Sequence, residues 1–112
     1  MPPPEEYLDV KRDLDRMKKL FSRLALKKEQ EVILMRMGKR LPASEIRDMR
    51  EIEESILNLL GKKTGITSVQ QRNLFETFKH QFQSSMRSWR NRLAYAEQTR
   101  VRRKKMTNLS EA

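Results

Sequence analysis

The sequence predicts an all-α protein: an antiparallel up-down-up three-helix bundle with a long first and a long third helix. Three observations lead there. Apolar residues recur at steps of three and four along three segments, the period of one helix face. Two glycine-bearing breaks, GKRLPAS at 38–44 and GKKTGITS at 61–68, separate those segments. Charged residues make up 36% of the 112-residue chain and aromatics only 6%, the balance of a solvated helical protein rather than of a sheet. None of the segments can bury its stripe alone, so each must pack on the others.

A proline-rich lead-in, residues 1–5, is expected to stay extended outside the fold. The first helix, expected over about 6–37, carries Tyr7, Val10, Leu14, Met17, Phe21 and Leu24 on one seam. Lys28 then interrupts the stripe, which resumes at Val32 and Met35. A lysine in that register can lay its alkyl stem on the core and keep its ammonium wet. The second helix, expected over about 45–61 with Ser44 as N-cap, places Met49, Ile52, Ile56 and Leu59 on its seam, widened by Ile46 and Leu60. Its acids, Glu45, Asp48, Glu51, Glu53 and Glu54, gather toward the amino end, where the helix dipole favours them. Gly61 and Gly65 are the expected helix-ending residues.

The third helix, expected over about 68–106, opens on Thr67-Ser-Val-Gln70, which fits a capping box. It lines up Phe75, Phe78, Phe82, Trp89, Leu93 and Ala96, with Met86 covering the gap. These rings raise a question of function, because aromatics among cations can also be a stacking surface for bases. A stacking platform needs its rings exposed beside its cations, since one strand must touch both. Here the rings share a face while Arg72, Lys79, Arg87 and Arg90 project elsewhere, so the stripe is read as core. Residues 6–99 then form the bundle. The basic overhang and tail, 100–112, lie beyond the shorter second helix.

The formal charge is +10, and it is unevenly placed. Residues 1–37 hold nine basic and seven acidic groups, residues 38–66 six and five, and residues 67–112 ten and three. The candidate polyanion-binding cations are Arg87, Arg90, Arg92 and the run Arg100, Arg102, Arg103, Lys104 and Lys105. Such a run can serve nucleic acid, an anionic membrane surface or an acidic partner face, or it can simply be a solvated helix end favoured by the dipole. There are no cysteines, which excludes disulfides and cysteine-ligated zinc and suits a cytosolic or nuclear setting. The start, MPPPEEYLD, has the character of neither a secretory signal nor a transit peptide.

Chemistry-bearing constellations are missing. His80 is the one histidine and has no acidic companions at ligand spacing, so neither a metal nor another cofactor is expected. Ser84 sits one helical turn from His80 without an orienting acid or an oxyanion donor. GKKTG at 61–65 lacks the Walker spacing and a preceding strand. The seven methionines spread along the helices as flexible core filling. The expectation is a protein without catalytic activity.

The stretches EYLDVKRDLDRMKKLFSRLAL, SEIRDMREIEESILNLLGK and QQRNLFETFKHQFQSSMRSWRNRL together resemble the amino-terminal three-helix (Habc) domain of a syntaxin, the Qa class of SNARE proteins, and its trans-Golgi and endosomal branch in particular. The match is one of pattern over about residues 5–106. The strong positive charge and Lys28 depart from that pattern, and neither a fusion-driving heptad region nor a membrane anchor is present in these residues. The resemblance implies a binding module at the cytoplasmic face of Golgi or endosome membranes. Its partner would be the protein's own SNARE helix or a Sec/Munc-type regulator. A groove between the first and third helices, bordered by Leu20, Ile33, Leu74 and Leu93, is the expected receptor for such a helix. A second copy of the chain is another way to cover what the short second helix leaves open.

Overall fold

The computed structural model describes the backbone of residues 5–62 and 66–111 and the side chains of residues 9–62 and 66–102. Three helices follow one another, α1 (Glu5–Arg36), α2 (Ala43–Lys62) and α3 (Val69–Glu111). α1 runs up, α2 returns beside it, and α3 runs up again on α1's other flank. α1 lies against both neighbours, whereas α2 and α3 approach each other only slightly. The result is a rod measuring 77 × 25 × 17 Å. With 43 residues at about 1.5 Å each, α3 alone accounts for most of that length.

The seams form the core. Val10, Leu14, Met17, Leu24, Met49, Ile52, Ile56, Leu59, Phe75, Phe78, Phe82 and Trp89 are all buried. The rings answer the question raised by the third segment, because Phe75, Phe78, Phe82 and Trp89 expose 3–6% of their surface and leave no face for a base. Phe21 departs from the expected full burial. It is half-buried and packs against the core margin, because its ring reaches sideways toward α3 instead of down the α1 seam. There it meets Phe78 edge-on at 6.0 Å, Phe82 at 6.1 Å and Trp89 at 5.8 Å. The Tyr7 side chain lies outside the described residues.

The helix ends correct several sequence expectations, most by a residue or two and the end of α3 by five. α1 begins by Glu5, inside the expected lead-in, and the rest of that lead-in lies outside the described residues. α1 closes on Gly38, whose φ of 75° is left-handed. The Lys39 amide donates to the Leu34 carbonyl at 2.8 Å and the Gly38 amide to Met35 at 3.0 Å, the paired bonds of a Schellman stop. α2 starts before Ser44, because the Pro42 carbonyl already accepts from the amides of Glu45 and Ile46. Leu41 and Ile46 flank that start in the positions of a hydrophobic staple. Gly61 stays helical within α2, so it does not end the helix, and Gly65 lies outside the described residues. The cap of α3 is Ser68 rather than Thr67, since the Ser68 hydroxyl accepts the Gln71 amide at 3.4 Å. Arg72 secures the turn by donating to the Ile66 carbonyl from Nη2 at 2.8 Å and Nε at 3.2 Å. α3 stays helical through Glu111, past the expected end near 106, so most of the expected tail is helix.

Candidate protein-interaction surface

Two charged contacts show how α1 is turned between its neighbours. On one flank Lys27 pairs with Glu45 and, at 3.8 Å, with Asp48 of α2. On the other flank Glu29 holds Arg92 of α3, with Arg92 Nη2 donating to Oε2 at 2.8 Å, and accepts from Trp89 Nε1 at 3.2 Å. At about 100° per residue, positions 27 and 29 point nearly opposite ways, so α2 and α3 occupy the two flanks. The back of α1 stays uncovered.

That back carries an apolar line. Leu26, Ile33 and Met37 are 70%, 54% and 61% exposed and follow one another at steps of seven and four. Continued downward by sevens, the same line meets Lys19 and Arg12, both exposed. A repeat of seven drifts only about 20° per heptad on a straight helix, so Arg12, Lys19, Leu26 and Ile33 form one nearly straight stripe. It is basic at its lower end and apolar at its upper end. Sequence reasoning missed Leu26 and Met37 because the stronger seam on α1's opposite side drew the period. Their own spacing was the available signal.

The expected groove residues do not converge. Leu20 is half-buried and borders a hollow between α1 and α2 with Asp48 and Ile52. Leu74, 59% exposed, borders a different hollow between α1 and α3 with Val10 and Leu14. Leu93 is half-buried and Ile33 sits on the back of α1. Helix rotation, which a single seam leaves undetermined, separates the four. Tyr95, Leu57 and Val69 are exposed singly, as apolar residues commonly are.

The candidate cations also divide. Arg87, Arg90 and Arg102 are exposed. Arg92 is engaged by Glu29 and Arg100 by Glu97, the latter pair bonded through Nη2 at 2.6 Å and Nε at 3.3 Å. These two guanidiniums are therefore each paired with a carboxylate at the bundle surface. The side chains of Arg103, Lys104 and Lys105 lie outside the described residues, although their backbone is helical.

The bond from Arg92 lowers the Glu29 carboxyl below its ordinary 4.5, assisted by the Trp89 N–H and opposed by desolvation. Arg100 does the same for Glu97. A lowered carboxyl stabilises the fold above its ordinary pKa, and that contribution fades as pH falls through the lowered value. Stability measured from about pH 6 down to pH 3 is therefore expected to fall less steeply for Glu29→Gln than for the parent. Parallel curves would show that the bridge contributes nothing to folding.

Among the described residues no group of histidines, cysteines and acids can hold a metal, and no helix is long and apolar enough to cross a membrane. The chain matches no family model, no curated protein and no solved structure.

Proposed function

We propose that this chain is a non-catalytic helical interaction module that receives an amphipathic helix along the back of α1. The exposed line Leu26–Ile33–Met37, continued by Lys19 and Arg12, is the observation that carries it. A helix laid there buries apolar side chains over the upper half and meets cations over the lower half. The complementary partner has leucine-type residues at one end of its face and carboxylates at the other. A second copy of this chain fits poorly. In a parallel pairing Arg12 and Lys19 would meet their own copies, so like charges would face each other. In finer terms, the sequence resemblance makes the module the regulatory amino-terminal domain of a SNARE-type membrane-traffic protein at a Golgi or endosome membrane.

The test is the affinity of a labelled peptide helix with that acidic-apolar face. Leu26→Glu with Ile33→Glu is expected to weaken binding by at least about tenfold while leaving stability within about 0.5 kcal/mol per site, because both residues are exposed. Undiminished binding by the double variant would remove the back of α1 from consideration.

A second reading rests on Arg87, Arg90 and Arg102, which are exposed on α3 and have no carboxylate partner among the described residues. They would grip nucleic acid or anionic lipid together with the basic run. Nucleic-acid affinity falls steeply with salt as counterions are released, whereas the apolar contact of the helix docking depends weakly on it. Duplex and single-strand binding at two salt concentrations, for the full chain and one ending before Arg100, separates the two. Tight, sequence-selective binding that survives truncation would displace the protein-interaction reading.

A further inference from the structure

Lys28 occupies a core position on α1, one turn after Leu24 and one turn before Val32, both of which are fully buried. An apolar residue there would carry the seam through without a break. Instead the half-buried lysine borders a hollow of about 380 Å³ where α1, the 37–42 turn and the start of α2 meet. Met35, Leu41, Ile46 and Met49 form its apolar floor. Leu41 and Met49 are buried within the core, and Leu41 and Ile46 are held by the staple at the α2 start, so the floor is built into the fold. Lys28, Arg40 and Arg50 stand around it. Among the described residues none of these three has a carboxylate within salt-bridge reach, although the charge of Arg40 is also felt by Glu97.

We infer that this hollow binds a small amphiphilic anion, with its apolar tail on the methionine, leucine and isoleucine floor and a single carboxylate or phosphate-ester head among Lys28, Arg40 and Arg50. The volume falls within the roughly 300–1,000 Å³ of small-molecule sites. Apolar walls with a few placed charges are the usual composition of such sites. Glu31 and Glu53 also line the hollow, leaving one net positive charge. They repel an extended polyanion and admit one compact head. A lysine in a core register gives up apolar burial, and breaks of this kind in an otherwise consistent pattern tend to mark sites of function. The site is separate from the back of α1 and stands or falls independently of the helix docking.

The test follows the backbone amides of the full chain by NMR during titration with decanoate and with decyl phosphate, both below their micellar concentrations. Acetate and decyltrimethylammonium are the controls. Saturable shifts centred on Leu41, Ile46 and Met49 with either anion are expected, and the stronger of the two identifies the head group. Lys28→Leu fills the notch, so it is expected to fold and to weaken binding by at least about tenfold. Arg50→Gln, at an exposed position, should weaken it by a smaller factor. Any of four results would overturn the site: no saturation by either anion, equal binding of decyltrimethylammonium, shifts centred on Leu26 and Ile33, or unchanged affinity in Lys28→Leu.

Discussion

Replacing Trp89 by alanine is expected to cost about 3–5 kcal/mol of folding stability, the range for emptying a buried aromatic site. Trp89 is 6% exposed and its ring centroid lies 5.8 Å from that of Phe21. That places it at the upper end of an aromatic row in which Phe78 and Phe82 stack at 6.4 Å with planes 10° apart. Phe21 touches three of these rings, so removing Trp89 also strips one side from a residue that water already reaches on another. The indole N–H is lost as well, leaving Glu29 with Arg92 alone. Trp89→Phe separates the two effects. It keeps most of the apolar area and drops the donor, and it is expected to cost about 1–2 kcal/mol, the sum of a lost hydrogen bond and imperfect packing. Urea unfolding followed by far-UV circular dichroism measures both. Unchanged stability in Trp89→Ala would mean that the ring is on the surface, and the base-stacking interpretation would then regain its footing.

Ile56→Ala is expected to lose about 2–5 kcal/mol. Ile56 is 0% exposed at the middle of α2, and α2 is held chiefly by α1. The Lys27 bridges to Glu45 and Asp48 involve carboxylates 37% and 52% exposed, and such pairs contribute well under about 1 kcal/mol once solvent screens them. The apolar seam Met49–Ile52–Ile56–Leu59 must therefore supply the attachment. A fall in the urea midpoint with an unchanged slope signals one cooperative unit. A reduced slope signals that α2 has come away before the α1–α3 pair opens, because less surface is then exposed in the main transition.

These predictions concern residues whose burial was readable from spacing. Val10, Leu14, Met17 and Leu24 repeat at three and four, and helix geometry alone puts residues so spaced on one face. The candidate interaction surface was less legible. Leu20, Ile33, Leu74 and Leu93 each sit beside a seam, but the side to which a seam-flanking residue turns depends on the rotation of its helix against two neighbours. Sequence period says nothing about that angle. Arg92 looked as free as Arg90, since its partner Glu29 lies 63 residues away in the chain. Helix caps erred for a local reason. Thr67 and Ser68 are equally able to accept an amide hydrogen bond, so residue type alone could not choose between them.

The amino-acid sequence by itself determined three amphipathic helices, their order, the inward side of each and the basic bias of the last, because periodicity, glycine breaks and charge are properties of neighbouring residues. Tertiary structure alone decided which side of α1 stays bare, which arginines are engaged and where Lys28 opens a hollow. Each of those depends on how helices are turned and slid against one another, and such rigid-body placements are set by contacts between residues far apart in the chain.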